Sequence, residues 1–171
     1  VSRRTQQTTL GDVSEARTAI GIDVGGTGIK GAAVDVATGA RLTSRHRVPT
    51  PAGGLPADIA REVGLMANAI RTELAGEDPD ERLAALPVGV TLPGVVQHGI
   101  MRTAANIDRS WIGTDAAALF CGAIGSPCVV VNDADAAGLA EAAFGEVRDL
   151  HGTTLVLTFG TGIGSALIHN G

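Results

Sequence analysis

Apolar residues along this chain fall into short runs that are separated by glycine-rich or polar turns. Short runs of this kind, with few charges and with Gly, Pro or Asn at their ends, are typical of β-strands with one or both faces buried. The predicted strands are Thr18 to Val24, Lys30 to Val36, Arg41 to Val48, Leu86 to Leu92, Pro127 to Val131, Thr154 to Phe159 and Ser165 to Ile168.

Between these strands the spacing of apolar residues changes to three or four positions, which indicates helices. The spacing is clearest in the first predicted helix, Ala57 to Leu74. Its apolar positions are Ile59, Val63, Met66, Ile70 and Leu74. Two further helices are predicted at Asp115 to Ile124 and at Asp133 to Phe144.

The order of these elements favours an α/β fold. Three meandering strands followed by helix-linked strands imply a mixed five-stranded sheet with helices on its faces. The polar stretch from Glu146 to Gly152 reads as a hinge, after which the last two strands begin a second, duplicated domain. We therefore predict a disordered tail at 1–17, a small α/β domain at 18–146 and the start of a larger α/β domain at 147–171, whose remainder we expect beyond this sequence.

Composition supports that fold and narrows the class of partner. The 171 residues are 44% hydrophobic, with 24 Gly and only three Phe and one Trp, which suits an aliphatic α/β core. The formal charge of −5 gives no reason to expect nucleic acid or an anionic membrane as partner.

The chain shows no bilayer-length apolar run and no signal-peptide core, so we expect a cytoplasmic protein. Cys121 and Cys128 lack metal-ligand and CxxC spacing, and we predict free thiols.

A repeated glycine turn is the most informative motif. Gly26-Thr27-Gly28-Ile29 recurs as Gly160-Thr161-Gly162-Ile163, and each copy stands between two predicted strands. A turn of this composition brings bare backbone N–H groups close together, which suits a phosphate ligand. Two such turns predict two halves that grip one polyphosphate from both sides.

Other glycine-rich motifs fit the chain less well. The spacing Gly26-x-Gly28-x-x-Gly31 matches the dinucleotide-binding fingerprint, but that motif requires a helix after the glycines, where this chain predicts a strand. The kinase sequence elements and the GKS or GKT of a Walker A loop are absent. Two ordinary β-hairpins stay open as an alternative, against which the duplication and the nearby Asp23 argue.

Asp23 ends the first predicted strand just before the glycines. A carboxylate beside a phosphate cradle repels the ligand unless a cation lies between them. Mg²⁺ is commonly held by one or two carboxylates, waters and substrate phosphates. We therefore predict Asp23 as a metal-binding residue, with a simple turn-forming Asp as the alternative.

A second polar cluster follows the fifth strand, at Asn132, Asp133 and Asp135. Polar residues at the carboxyl end of a buried strand lie where open α/β sheets bind their ligands. A carboxylate there can accept a proton from a hydroxyl that attacks phosphorus. We predict Asp133 for this role, and we expect one of the two aspartates to cap the following helix.

Five motifs together resemble the ROK sugar kinases, a family with the actin-like, hexokinase-type (ribonuclease H-like) fold. They are Asp23-x-Gly25-Gly26-Thr27, Pro93-Gly94, Asn106 with Trp111 downstream, Asn132-Asp133-Ala134 and Gly160-Thr161-Gly162-x-Gly164. The stretches from Thr103 to Asp108 and from Asn132 to Gly138 look most similar to the actinobacterial polyphosphate glucokinases. Enzymes of that branch phosphorylate glucose, and in some cases mannose, from inorganic polyphosphate or ATP.

The resemblance implies a role for each matching residue. It assigns Asp133 as the general base on the 6-hydroxyl of the sugar and Asp23 as the Mg²⁺ residue. The hexose contacts that it implies are Gly94, Asn106, Asn132 and Asp133. The donor-phosphate contacts that it implies are Gly25, Gly26, Thr27, Gly28, Lys30, Gly160, Thr161, Gly162 and Gly164. A homodimer is the expectation from the family alone.

The chain departs from the family pattern at the first turn. Many members have Lys directly after Gly-Gly-Thr, where this chain has Gly28 and places Lys30 two residues later. Lys30 would face either the phosphate or solvent. The cluster Arg41, Arg45, His46 and Arg47 reads as solvated surface charge, whereas Arg102 and Arg109 flank Asn106 and are the better candidates for a polyphosphate track.

Two other function classes share this fold. Sugar-sensing ROK repressors carry a helix-turn-helix domain ahead of the first turn, for which the polar stretch before Thr18 leaves little room. An actin-like chaperone ATPase would leave the Asn106 loop and Asn132-Asp133 unexplained. A phosphotransferase that uses Mg²⁺ and polyphosphate or ATP is therefore the leading hypothesis.

Overall fold

A computed structural model describes residues 18–77, 81–160 and 162–170. The predicted tail at 1–17 and the predicted phosphate contact Thr161 lie outside the described residues. Within them, the central element is a mixed five-stranded sheet, as predicted. Its strands are β1 (Thr18–Val24), β2 (Gly28–Asp35), β3 (His46–Pro49), β4 (Val88–Leu92) and, later in the chain, β7 (Cys128–Asn132).

The strand order in this sheet is β3-β2-β1-β4-β7. The pairs β1–β2 and β2–β3 are antiparallel, whereas β4 runs parallel to β1 and β7 parallel to β4. The carboxyl ends of β1, β4 and β7 therefore meet at one edge of the sheet. This edge positions the candidate site.

The three helices are α1 (Pro56–Ala75), α2 (Ala116–Ile124) and α3 (Asp133–Phe144). Helices α1 and α2 cover one face of the sheet, whereas Ala136 of α3 lines a cavity together with Gly21 and Thr91 on the other face. Helix α1 packs against α2 and against β1 and β2, and α2 packs against β7. The core between them is aliphatic with one aromatic pair, Trp111 and Phe120, whose ring centroids lie 5.7 Å apart. Because side chains alternate along a strand, Gly21 and Asp23 of β1 point to the opposite face.

The third strand is shorter than predicted. Of the range Arg41 to Val48, only residues from His46 onward pair with β2, although Arg41 forms an isolated bridge with Val34. Side chains replace the ladder in between: Thr43 Oγ1 accepts the Ala33 N–H at 3.0 Å, and Glu73 of α1 accepts from both the N–H and the hydroxyl of Ser44. The Leu42 N–H also donates to the Ala33 carbonyl at 2.9 Å, so the segment stays beside β2 without forming a continuous ladder. The second strand also differs, since it begins at Gly28 rather than at Lys30.

Two strand pairs lie outside the central sheet. A small hairpin of β5 (Val96–Gln97) and β6 (Ile100–Met101) was not predicted, because two-residue strands leave no period in the sequence. The second glycine motif forms an antiparallel ribbon of β8 (Thr153–Phe159) and β9 (Ile163–His169). One face of this ribbon packs on α3, where a Cβ on Gly138 would approach the Ala166 Cβ to 2.7 Å.

None of the helices in the described ranges combines the length and the apolar character that a bilayer crossing requires. Cys121 and Cys128 are free and half-buried, with their sulfur atoms 2.8 Å apart. Desolvation and the hydrogen bond with Cys121 raise the pKa of the Cys128 thiol to about 12. The free thiols agree with the prediction.

Candidate active site

Three of the predicted site motifs leave the sheet at its carboxyl edge. The register aligns Asp23 of β1 with Thr91 of β4 and Thr91 with Val131 of β7. The first glycine turn, Pro93-Gly94 and Asn132-Asp133 follow directly after these positions. Since neighbouring strands lie about 4.8 Å apart, β1 and β7 are separated by roughly 10 Å at this edge. A ligand of a few phosphates and one sugar can bridge that distance.

The first glycine turn offers free donors. The Gly25 N–H donates to the Gly28 carbonyl at 3.0 Å, which closes the turn, and the Thr50 hydroxyl donates to the Gly25 carbonyl. No acceptor among the described residues takes the N–H of Gly26 or of Thr27. The turn thus holds two unpaired N–H groups beside each other, as a phosphate site requires.

Asn106 lies between the two glycine turns. Its backbone is left-handed, with φ 61°, a conformation that Asn tolerates better than most residues. A Cβ on Gly26 would lie 2.6 Å from the Asn106 carbonyl oxygen, and a Cβ on Gly162 would lie 3.5 Å from Asn106 Nδ2. Glycine at position 26 therefore allows the Asn106 loop to pack on the first turn, and the second turn approaches from the other side.

The second turn is closed differently from the first, because the N–H of Gly160, which corresponds to the free N–H of Gly26, donates to the Gly162 carbonyl at 2.9 Å. Gly164 packs against the beginning of α3, where an added Cβ would lie 2.7 Å from the Ala134 Cβ. Ala134 directly follows Asp133. The structure therefore brings both glycine turns and Asp133 to one region.

Asp133 is the first residue of α3 and is half-buried. Its Oδ1 accepts the Ala134 N–H at 2.8 Å and the Asn132 Nδ2 at 3.1 Å. Within the described part of the chain, Oδ2 accepts from no residue. One carboxylate oxygen is thus held in place while the other is left for a ligand.

Asn132 caps α3, contrary to the expectation that Asp133 or Asp135 would do so. Its side-chain oxygen accepts the N–H groups of Ala134 and Asp135 at 2.9 and 3.0 Å. Its amide nitrogen donates to the Gly94 carbonyl at 3.0 Å and to Asp133. Asn and Asp are about equally good caps, so the choice depends on this second pair of bonds, which a carboxylate cannot donate.

Gly94 is buried beneath the Asn106 loop. A Cβ at this position would overlap the Thr103 carbonyl oxygen, and the Ala105 N–H donates to the Pro93 carbonyl at 2.9 Å. The chain at Gly94, just after β4, therefore contacts the Asn106 loop, and the Gly94 carbonyl accepts the hydrogen bond from Asn132. Its contribution to the site is close backbone packing.

Asp23 is fixed by its neighbours across the sheet. Thr91 donates its hydroxyl to Asp23 Oδ1 at 2.8 Å, and Lys30 Nζ lies 3.8 Å from Oδ2. Lys30 therefore faces the same side as Asp23. Among the described residues there is no group of three or more His, Cys, Asp or Glu that could hold a metal. A site with one protein carboxylate completed by waters and phosphates still fits Mg²⁺.

A cavity of about 430 Å³ opens beside the first turn. Its walls include Gly26, Asn106 and Asp108 together with the loop from Thr50 to Gly54. Hydrogen bonds from the side chain and backbone of Ser110 lower the pKa of Asp108. The fully buried Trp111 donates its indole N–H to the Gly54 carbonyl at 2.9 Å, so it packs in the core behind this loop. Asp133 does not line this cavity, so the cavity lies beside the carboxyl edge of the sheet and not at Asp133 itself.

Two supporting residues escaped the sequence analysis, Thr50 and Thr91. Thr91 stands one residue before the end of β4, as Asp23 does in β1, and that shared position is a signal in the sequence. Thr50 carries no such signal, because its role depends on where β3 ends. Arg102 and Arg109 are both exposed beside the Asn106 loop.

Comparison with known proteins gives the family. The sequence profile of the ROK family matches residues 19–171. The chain belongs to the ROK family. A polyphosphate glucokinase of Mycobacterium tuberculosis is 46% identical over 156 residues, which make up 91% of this ROK chain and 54% of that protein. Its counterpart in Mycobacterium leprae is 43% identical over 164 residues, or 95% and 47% of the two chains.

Solved structures agree with this assignment. An inorganic polyphosphate/ATP-glucomannokinase from Arthrobacter sp. strain KM matches with a TM-score of 0.80 and 50% identity, over 90% of this chain and 58% of that one. The predicted actin-like, hexokinase-type fold is thereby confirmed. The ROK chain described here spans about half the length of the curated relatives it matches.

Proposed function

We propose that this ROK protein is a hexose kinase that transfers a phosphoryl group from inorganic polyphosphate or ATP to the 6-hydroxyl of glucose. The observation that carries the proposal is Asp133, with one oxygen fixed and the other unpartnered, at the same sheet edge as a turn with free N–H groups. The names of the similar proteins support the same donor and acceptor classes. Mannose is proposed as a second acceptor on the glucomannokinase likeness alone.

In this proposal Asp133 Oδ2 accepts the proton of the 6-hydroxyl as that oxygen attacks the terminal phosphorus of the donor. The new P–O bond forms while the bond to the leaving phosphate breaks. The transferred group needs little covalent help, so the protein contributes mainly alignment and charge neutralisation. The fixed Oδ1 keeps the base from rotating away from the hydroxyl.

The donor phosphates would lie between the two glycine turns. The N–H groups of Gly26 and Thr27 would hydrogen-bond phosphate oxygens on one side, and the turn at Gly160 and Gly162 would close the other side. Asp23 would hold Mg²⁺, which neutralises phosphate charge when bound. Asn106, placed between the turns, is proposed to contact the sugar.

Asn132 is proposed to position Asp133 rather than to bind the hexose. Its side chain already makes four hydrogen bonds inside the protein, which use the full capacity of an amide. A hexose hydroxyl would have to displace one of them. Replacement of Asn132 by Ser should therefore lower kcat more than it raises the KM for glucose.

The test is a matrix of donors and acceptors with the full-length protein. Glucose and mannose are each incubated with ATP or polyphosphate, with Mg²⁺ or with a chelator, and the products are followed by ³¹P NMR. We expect a hexose 6-phosphate signal from glucose in the presence of Mg²⁺. Glucose binding without product from either donor would overturn the proposal and favour a sugar sensor.

A further inference from the structure

Two cations stand directly opposite each other next to the first glycine turn. Lys30 of β2 pairs with Arg47 of β3 in the antiparallel register, so their side chains leave the same face of the sheet. Lys30 has Asp23 at 3.8 Å, whereas Arg47 is exposed and forms no hydrogen bond or ion pair within the described residues. The pair therefore carries uncompensated positive charge.

The Arg47 guanidinium lies against the turn. A Cβ placed on Gly28 would be 3.7 Å from Arg47 Nε and 4.0 Å from Nη2. Gly28 is the residue that closes the turn by accepting the Gly25 N–H, and the free N–H groups of Gly26 and Thr27 come just before it. The guanidinium therefore lies within van der Waals distance of the side-chain position of Gly28.

Like charges directly opposite each other on neighbouring strands are destabilising, and a bound anion removes that cost. A phosphate group can accept two parallel N–H bonds from a guanidinium on two of its oxygens, and a linear phosphoanhydride presents several such oxygens in a row. Lys30 and Arg47 leave the same face of the sheet, and the Arg47 guanidinium lies beside Gly28, the residue that follows the two free N–H groups. Together they match an oligophosphate better than a single carboxylate.

We infer that Arg47, together with Lys30, clamps the phosphoanhydride chain of the donor at the first glycine turn. The inference rests on the proposed kinase function and adds a donor-binding residue to it. It differs from the interpretation of Arg47 as solvated surface charge. Since polyphosphate offers the protein nothing but phosphates, its binding should depend on this clamp more than ATP binding does.

The test compares Arg47→Gln and Arg47→Lys in the full-length protein. The matched control is Arg61→Gln, since Arg61 is an exposed arginine on α1 paired with Asp58. KM is measured for polyphosphate and for ATP, and binding of tripolyphosphate is measured by calorimetry without sugar at several salt concentrations. Thermal unfolding checks that each variant is folded.

For Arg47→Gln we expect the KM for polyphosphate to rise about ten-fold or more, with the KM for glucose unchanged. Arg47→Lys should raise the KM for polyphosphate by less than Arg47→Gln does. The salt dependence of tripolyphosphate binding should be weaker in Arg47→Gln than in the wild type. The KM for ATP should rise less than the KM for polyphosphate, and an equal rise for both donors would contradict the stronger dependence of polyphosphate on the clamp.

Values within two-fold of wild type for both donors and for tripolyphosphate would overturn the inference. Failure of the proposed function is distinguishable, because tripolyphosphate binding needs no turnover. Tripolyphosphate binding that depends on Arg47, without any phosphoryl transfer, would support the clamp and contradict the proposed kinase function. Phosphoryl transfer with wild-type KM values in the Arg47 variants would support the kinase function and contradict the clamp.

Discussion

The sequence Gly-Thr-Gly-Ile lies at the turn of two strand pairs, and the two pairs differ in how much of their surface is buried. Ile29 follows the first turn and is 0% exposed, whereas Ile163 follows the second turn and is 75% exposed. The first pair lies in the middle of the five-stranded sheet under α1; the second is a two-stranded ribbon that touches α3 with one face. The same local motif therefore forms a turn between two strands in both places, while the elements packed around it within these 171 residues set how much of each strand is buried.

The glycines show the same contrast. A Cβ on Gly26 would meet Asn106 at 2.6 Å, whereas a Cβ on the equivalent Gly160 would have no atom within 4 Å. Glycine is required by close packing at the first turn. At the second turn of the described ribbon, neither close packing nor a left-handed backbone requires glycine at position 160.

The largest effect should come from truncating the buried isoleucine. Ile29→Ala removes a fully buried side chain and should lower the free energy of unfolding by about 2–5 kcal/mol. Ile163→Ala, at the exposed equivalent, should change it by less than about 0.5 kcal/mol. Urea denaturation of the 171-residue chain measures both. Equal losses would show that the ribbon is as tightly packed as the sheet.

A smaller effect is expected at the turn glycines. Gly26→Ala forces the Asn106 loop to move and should destabilise the protein by about 1–3 kcal/mol. Gly160→Ala meets open space and should be neutral or slightly stabilising, because alanine restricts the unfolded chain. Thermal unfolding compares the two, and glucose affinity reports on the loop. A neutral Gly26→Ala would mean that the loop does not rest on this turn.

The smallest effect should appear where the ribbon meets α3. Gly138→Ala places a Cβ 2.7 Å from the Ala166 Cβ. Overpacking costs about 1–3 kcal/mol, but the better helix propensity of alanine returns about 1 kcal/mol. We expect faster amide hydrogen exchange in β8 and β9 and unchanged exchange in β1. Slower exchange in the ribbon would show that the contact has room for a methyl group.

Much of the candidate site was predictable because it follows from strand direction. Asp23, Gly94 and Asn132 each end or follow a strand, and parallel strands linked by helices must bring those ends to one edge. The amphipathic pattern of α1 and the glycine repeat are equally local signals. These features need no knowledge of distant contacts.

The remaining features depend on contacts between residues far apart in the sequence. Before His46, Ser44 of the predicted third strand is hydrogen-bonded to Glu73 of α1. The Asn132 side chain that caps α3 donates to the Gly94 carbonyl, and the Arg47 guanidinium lies beside Gly28 across the ladder. No period or spacing in the sequence encodes such pairs, so they were found only in the structure.

The central claim is that Asp133 is the general base of a phosphoryl transfer at this sheet edge. The most direct measurement is kcat for glucose phosphorylation by the full-length Asp133→Asn variant, with Asp135→Asn as the matched control from the same helical turn. General-base catalysis contributes roughly 10²–10⁴-fold. We predict a loss of at least about a hundred-fold for Asp133→Asn at unchanged glucose affinity, and near wild-type activity for Asp135→Asn. A kcat of Asp133→Asn close to that of the wild type would contradict the account.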